Sequence, residues 1–581
     1  MSLHIISHIA RILSSFVVCI LITSSAFSQS TPHSFLLPID IPPLLSANYG
    51  ELRPNHFHGG LDFKTQSIVG KNLIAIDSGY VSRIQVRPSG YGLALYITHY
   101  NGYTSVYGHL LSLNQKIDSV VKAYQKFHTK NIVDIHFQSH ELPIQRGEII
   151  GLSGNSGSSG GPHLHFEIRD SKTQNTLNPL LFYPQIVDKS RPKITAIGVY
   201  PLDSSSFVSQ ARSKKFYKVL TNKSEGLQKI SEPIHAWGTI GFSVQGNDFM
   251  QGTGHVYGFY TVKLLCNDTV LYARRIDEIS FENTADINSF IDYTEYAKTK
   301  RYFEKAFVEP NNTLQVYTHL HNYGKYSAKT IDTVTCEFIV GDFNENMAAV
   351  TFTVIQQPIH DTILSKLPPY PQKNSCKLPF THTLQGFTFT GNEQTFFTDF
   401  TFTATVDTLN PKKRYHSHRY SIKSDQLIFK KAASIQIQSH VPKELQEKAI
   451  IELSNAAGAK SPILATFDEQ GIASGYTKRP GTFGVVLDTV APFVKPNFAN
   501  NGNLQANKSL SFKISDNFSG IKEYNAYVDD EWVILNYDAK SATVYLKFAD
   551  TNMQFNTKHS LRIEVRDMCN NTTTKEYSFF K

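Results

Sequence analysis

Three short stretches of the 581-residue chain carry side chains able to bind a metal and move protons: His58-Gly-Gly-Leu-Asp62, Tyr107-Gly-His109 and His163-Leu-His165. The first and third together hold two imidazoles and a carboxylate. Proteins use that set to bind catalytic Zn²⁺ while leaving a coordination position open for water. The chemistry indicated is zinc-dependent hydrolysis.

In Pro162-His163-Leu164-His165-Phe166 the histidines alternate with apolar residues. On a β-strand both imidazoles then project from one face, while Leu164 and Phe166 enter the core from the other. If His58 and Asp62 supply two ligands, zinc needs only one of this pair. The second imidazole is free for acid–base work or for binding a developing oxyanion. His109 adds a further free imidazole, and Tyr107, two residues earlier, is expected to share its face of a strand. No His-Glu-x-x-His motif occurs, which excludes a helix-borne, thermolysin-like arrangement.

The run from about residue 48 to 169 resembles the lysostaphin-type (LytM-like) zinc endopeptidase domain of bacterial cell-wall hydrolases. Seven blocks in one order carry the resemblance: His58-x-x-x-Asp62 followed by Phe63; residues 73–81; Gly90-Tyr-Gly92 leading to Ile97-Thr-His99; Tyr107-Gly-His109-Leu110; residues 147–151; Gly154-Asn-Ser-Gly157; and Gly161-Pro-His163-Leu-His165-Phe-Glu167. It implies an antiparallel β-sheet domain in which His58, Asp62 and His165 are zinc ligands. It further implies that His109 and His163 are the catalytic pair that orients the attacking water and stabilises the tetrahedral intermediate. Metal binding needs neutral imidazole, so activity is expected to fall at acidic pH. Gly108 stands where Ala is more usual and Gly160 where Thr is common, both in turn-like sequence. The larger departure is 111–146, where the family has a much shorter connection.

Both ends of that insertion are tied close to the cleft, so it is expected to act as a lid or substrate wall. Its 117–127 portion reads as a short helix with Ile117, Val120, Val121 and Tyr124 on one apolar face. His136 and His140 have a spacing compatible with a second metal, but read first as solvent-exposed. His99 and His128 read as structural. His56 lacks the Asp at the fourth following position that marks His58.

The chain exceeds one hydrophobic core, and about four domains are expected. Hydrophobic content of 41% and aromatic content of 12%, with 18% charged residues, describe a globular chain rich in β-formers. Arg11, the apolar run 12–22 and small residues through Ser28 read as a secretory signal, 1–28, with an uncleaved anchor as the other reading. Cys19 lacks the preceding small residue of a lipoprotein. The mature protein is expected in the periplasm or outside the cell, at the surface or free, without stable membrane insertion. Four cysteines remain, too few for a dense disulfide framework but enough for one bridge such as Cys266–Cys336. The net charge of +8 has no long basic runs and gives no support for nucleic-acid binding.

After 29–187, the peptidase region, the chain reads as β-domains. Asp188-Lys-Ser-Arg-Pro192 is echoed by Asp488-Thr-Val-Ala-Pro492. Phe242-Ser-Val244 to Asp248 parallels Phe512-Lys-Ile514-Ser-Asp516, and Val340-Gly-Asp342-Phe-Asn344 parallels Val565-Arg-Asp567-Met-Cys-Asn570. Strand, Asx-type turn, strand is the shared content. Two Ig-like β-sandwiches are expected at 188–357 and 486–581, the first enlarged by an insertion at 286–312. A β-rich domain, 358–485, lies between them and opens with the stiff Leu367-Pro-Pro-Tyr-Pro371. The fold class is therefore mainly β: a LytM-like peptidase sheet followed by several sandwiches.

The leading function is an exported zinc metalloendopeptidase cleaving cross-links or stem peptides of peptidoglycan, as the resemblance implies. Two alternatives stand beside it: a non-catalytic LytM-like activator of another wall hydrolase, and a processing protease for exported proteins. The five intact residues argue against the first. The β-domains show no ligand cluster or nucleophile with its base, and offer surface for an envelope protein partner.

Overall fold

Alternation in His163–Asp170 organises the N-terminal unit: Leu164, Phe166 and Ile168 are fully buried, each worth about 1.5–3 kcal/mol relative to exposure. The structure is a computed structural model and describes residues 35–221, 228–408, 414–424 and 427–581. The expected signal 1–28, with Cys19, lies outside the described residues. Among those residues no helix is long and apolar enough to cross a membrane.

The protein is mainly β. Seven strands form the continuous path of a ten-stranded sheet in the first unit: β1 (Leu45–Ala47), β2 (Leu61–Lys64), β3 (Gly79–Val86), β4 (Leu93–His99), β5 (Tyr103–Gly108), β6 (Val133–His136) and β7 (His163–Asp170). Their spatial order is β1-β2-β7-β5-β4-β3-β6, with neighbours antiparallel. The register sets His165 of β7 opposite Asp62 on β2 and Gly108 on β5. Directly paired residues in an antiparallel sheet share a face, so β7 presents His165 between the Asp62 carboxylate and the end of β5.

The insertion departs from the lid expectation. Helix α1 (Gln115–His128) is capped by Asn114, whose side chain accepts from Ile117 N, and ends at Thr129 in the left-handed conformation. Ile117 and Val121 are buried and Val120 is partly buried, as the periodicity predicted. Tyr124 instead turns outward against His128, with ring centroids 4.2 Å apart, and Gln125 is buried in its stead, its Nε2 donating to Asn131 O at 2.8 Å. The chain then adds β6 beside β3 at the sheet edge. That edge is four strands from β7, about 19 Å at the usual inter-strand spacing. The insertion is thus sewn into the domain instead of hinging over the cleft. His136 and His140 are exposed, and neither joins a metal-ligating group among the described residues.

The rest of the chain packs onto this unit. Residues 193–356 contribute a multi-stranded sheet in which Cys266 and Cys336 sit opposite each other on neighbouring strands and are disulfide-bonded. Within the 286–312 insertion, Ile287, Phe290 and Ile291 join the core of the N-terminal unit, with Phe290 5.4 Å from Phe57. Two five-stranded sheets enclose a phenylalanine-rich core between 380 and 487. A four-stranded and a five-stranded sheet enclose the last core, 493–580. This C-terminal sandwich docks on the 111–146 insertion. Asn131 Nδ2 donates to Tyr524 O and Asn131 Oδ1 accepts from Leu535 N, both at 2.7 Å, while Lys122 pairs with Asp550 at 2.7 Å.

Candidate metal centre and active site

The turn between His58 and Asp62 lies directly against β7. A Cβ on Gly60 would come 2.3 Å from Phe166 O, so only glycine allows the approach that brings both side chains of the turn over His165. Asp62 then enters β2 in register with His165. Gly108, which stands for Ala, lies in β5 instead of a turn, where a Cβ would sit 3.3 Å from the His165 Cβ. Nothing lies within 4 Å of a Cβ on Gly160.

His109 reaches the site by an irregularity of the backbone. Tyr107 pairs with Phe166 and points into the core, its hydroxyl donating to Ile74 O at 2.8 Å and accepting from Ile76 N. The expectation that Tyr107 and His109 share a face is therefore corrected. β5 ends at Gly108, and His109 takes φ of 63°, left-handed and uncommon for a side chain, which turns its imidazole away from Tyr107 and toward His163 and His165. The ring centroids are 4.8 and 5.9 Å apart. Gly154 holds this kink from behind, where a Cβ would lie 2.6 Å from His109 O.

Three acceptor atoms converge. His58 Nε2 lies 3.0 Å from Asp62 Oδ1 and 3.1 Å from His165 Nδ1, and His165 Nδ1 lies 2.9 Å from the same carboxylate oxygen. The outer nitrogens are committed elsewhere: His58 Nδ1 donates to Asn48 O at 2.7 Å and His165 Nε2 donates to Glu167 Oε1 at 2.8 Å. A carbonyl and a carboxylate can only accept, so in their neutral, metal-binding forms the two imidazoles would turn bare lone pairs toward Asp62. Three lone pairs facing one point call for a shared cation. Burial disfavours charge on Asp62, but His58 and His165 hold its carboxyl well below the usual range. Burial likewise opposes charge on His165, yet without a metal the hydrogen bonds with Asp62 and Glu167 push the imidazole up to about 9, so a proton takes the place between His165 and Asp62 that a cation would fill. Two imidazole nitrogens and one carboxylate oxygen, each braced from outside, fit the zinc donor set.

Two further imidazoles lie beside that triangle, His163 with its Nε2 3.5 Å from Asp62 Oδ1. His109 Nδ1 donates to Ser156 O at 2.9 Å, and His163 Nδ1 donates to Gly161 O at 2.8 Å with Ser159 Oγ at 3.1 Å. Each Nε2 is left as an acceptor. Burial, and then the charges of His165 and His163, lower His109 to about 3, and burial lowers His163 too. Both rings are thus neutral near pH 7. His99 is a core residue bonded to Ser105 Oγ at 2.8 Å, and His56 bonds Pro54 O outside the site.

Sequence reasoning missed the outer partners. Glu167 is fully buried; Arg169 Nε donates to it at 2.7 Å and Tyr91 OH at 2.5 Å. Burial opposes its charge, but Arg169 and His165 hold it down at about 2. The signal was present in β7, where His163, His165, Glu167 and Arg169 recur with a period of two on one face. Asn48, Ser156 and Ser159 act through loops and carry no such signal.

Residues 56–130 match the model of Peptidase family M23. The matched stretch contains His58, Asp62 and His109; His163 and His165 lie beyond it. Over 131 residues the chain is 33% identical to an uncharacterised metalloprotease of Haemophilus influenzae, covering 22% of this chain and 21% of that protein. Over 140 residues it is 27% identical to the DD-carboxypeptidase/endopeptidase Mpg of Neisseria meningitidis serogroup B, covering 24% of this chain and 26% of that protein. The chain thus spans about a quarter or less of the length of these curated relatives. Among solved structures it is similar to the catalytic domain of lysostaphin from Staphylococcus simulans, at 23% identity over 24% of this chain and 92% of that one, with a TM-score of 0.19. The N-terminal region is thus similar in sequence to M23 peptidases, the resemblance read from the seven blocks.

Proposed function

We propose that the protein is an exported zinc metalloendopeptidase that hydrolyses peptide bonds in peptidoglycan cross-links or stem peptides. The observation that carries this is the triangle of His58 Nε2, Asp62 Oδ1 and His165 Nδ1, about 3 Å on each side, with both imidazoles tied from behind. A zinc ion held by these residues would supply a Lewis acid for the scissile carbonyl and a more acidic water. The chain's own groups then do the proton work. Neutral His109 and His163 offer Nε2 as acceptors, so either can take a proton from the attacking water and return it to the leaving amine. Once protonated, the same Nε2–H donates to the oxyanion. Asn48 and Glu167 keep His58 and His165 in the required tautomers. The envelope location rests on the N-terminal apolar run and the wall substrate on the likeness to M23 peptidases. The presence of both free imidazoles beside the ligand set weighs against a non-catalytic activator.

The test is digestion of purified peptidoglycan by the mature chain with zinc, with and without a chelator, followed by mass analysis of released muropeptides. Chelator-sensitive release of cleaved cross-links or stems is expected. Intact muropeptides together with chelator-sensitive cleavage of protein substrates would move the reading to a processing protease.

A further inference from the structure

Outside the active site, three carboxylates are buried together without a cation to balance them. Asp188, Asp248 and Asp342 are each 5–6% exposed, and one carboxylate oxygen from each lies within 4.8 Å of the other two. Among the described residues none of the three forms an ion pair with Lys, Arg or His. Asp248 Oδ1 is buried and has no hydrogen-bond partner. The other two are partly satisfied: Asp188 Oδ1 accepts from Ser190 N and Gln251 N, and Asp342 accepts from Asn346 N and Nδ2. Burial, then the charges of Asp342 and Asp188, push Asp248 up to about 8.

A proton does not resolve this arrangement. One proton on Asp248 would neutralise one carboxylate and leave the other two buried together without a counter-charge. A cation among the three carboxylates does resolve it, balancing their buried charge and giving the unpartnered Asp248 carboxylate a group to bind. The donors are all hard oxygens. Zinc favours nitrogen and sulfur, and magnesium demands a near-ideal octahedron and keeps several waters. Calcium accepts irregular all-oxygen shells with several protein carboxylates, which suits a site this buried.

The chain builds the same plan twice. Asp488, Asp516 and Asp567 also bring carboxylate oxygens within 4.8 Å, and Asp516 Oδ1 is likewise buried without a partner. Asn346 Nδ2 donates to Asp188 O and Asp342 Oδ2; Asn571 Nδ2 donates to Asp488 O and Asp567 Oδ2. The sequence echo had aligned Asn344 with Asn570, whereas the residues in equivalent positions are Asn346 and Asn571. Asp188 and Asp488 each precede the first strand of a β unit, Lys193–Pro201 and Phe493–Pro496. The first cluster sits at a joint. Ile186, just before Asp188, belongs to the peptidase core, and so does Tyr257, whose hydroxyl donates to Leu45 O at 3.0 Å.

We propose that Asp188, Asp248 and Asp342 form a calcium-binding site that locks the junction between the peptidase unit and the first β unit. The mature, zinc-loaded chain should be stripped of calcium on a chelating resin, reloaded with zinc and dialysed against CaCl2 or MgCl2. Both metals are then counted by elemental analysis, and thermal unfolding is followed in parallel. Asp248→Asn should carry one calcium fewer per chain than the parent, with zinc unchanged. Calcium should raise the melting temperature of the parent more than that of the variant. In calcium-free buffer the variant should melt no lower than the parent, because one of three clustered charges is gone. If Asp248→Asn does not fold, Asp342→Asn is judged by the same count. Equal calcium content in parent and variant, or an equal response to magnesium at the same concentration, would overturn the assignment.

Discussion

Lys540 Nζ, on the C-terminal sandwich, donates to the backbone oxygen of Asn155, a residue 385 positions away in the peptidase unit. It also reaches Ser159 O at 3.4 Å. The loop between these two oxygens holds the two imidazoles proposed to do the proton work, for Ser156 O accepts from His109 Nδ1 and Ser159 Oγ meets His163 Nδ1. A domain without catalytic groups of its own therefore grips the loop that aims both free histidines.

Lys540→Ala should accordingly lower kcat while leaving zinc content unchanged. Lys540 is exposed, so the contact is worth about 1 kcal/mol, or roughly a fivefold effect. Steady-state kinetics on a soluble stem-peptide substrate reads it. Unchanged kcat would show that the loop keeps its shape unaided.

The two sets of histidines should separate cleanly by metal content. Asp62→Ala and His165→Ala remove atoms of the acceptor triangle and should lose zinc. His109→Ala and His163→Ala should keep it while turnover falls by about 10²- to 10⁴-fold, the usual worth of a general acid–base group. Elemental analysis of the four purified variants decides the matter: zinc retained without His165, or lost without His109, contradicts the division of roles.

Glu167→Gln tests the outer brace. Gln can still meet His165 Nε2 but no longer balances Arg169 or strengthens the imidazole as a ligand. Zinc affinity is expected to fall about 10- to 100-fold. Activity at saturating zinc should be largely restored, and competition with a chromogenic chelator gives the affinity. An unaltered affinity would make Glu167 a partner of Arg169 alone.

The difference between what was legible and what was not follows from the range of the interactions. His163 and His165 could be placed because period-two alternation with Leu164 and Phe166 is a local consequence of strand geometry. The same rule misled at His109, since a single left-handed residue ends β5 and reverses the side chain relative to Tyr107. The helix in the insertion was legible from Ile117 and Val121. Its use as a platform for Tyr524 and Leu535 was not, because that depends on contacts about 400 residues apart, 393 and 404 positions in the chain. The Asp188 and Asp488 echo marked a repeated turn, while the convergence of Asp248 and Asp516 on it required the fold.

Acid should destabilise the metal-free protein, in part through His109. Its imidazole is lowered to about 3, first by burial and then by His165 and His163, against about 6.5 in an unfolded chain. Between these values the unfolded chain binds a proton that the folded one does not, so stability rises with pH across that window and is lost on acidification. At pH 5 the His109 contribution is about 2 kcal/mol. Glu167, held at about 2, adds loss in the same direction only below its ordinary value of 4.5. His109→Gln should therefore flatten the fall in melting temperature between pH 6.5 and 4.5, as followed by scanning calorimetry. Parallel slopes for parent and variant would mean that the folded imidazole protonates freely.

The last prediction concerns the joint at Asn131, a buried side chain that satisfies the backbone of a distant sandwich through both its amide atoms. Asn131→Ala leaves Tyr524 O and Leu535 N without these partners, at a cost of about 1–3 kcal/mol for each buried group. Docking of the C-terminal sandwich on the insertion should weaken by about 2–6 kcal/mol in total if the two add. The sandwich has its own core of Val494, Phe512, Ile514, Val544, Ile563 and Val565, so an isolated 486–581 fragment is expected to melt cooperatively. In the full chain, Asn131→Ala should split off a transition that coincides with that of the fragment. Replacing 111–146 by a short Gly/Ser linker should do the same and lower kcat as Lys540→Ala does, because Lys540 then loses its seat. A fragment with no cooperative transition would show that the sandwich depends on the insertion to fold. A full-chain variant that melts as the parent does would show that Lys122 and the surrounding apolar contacts hold the joint without Asn131.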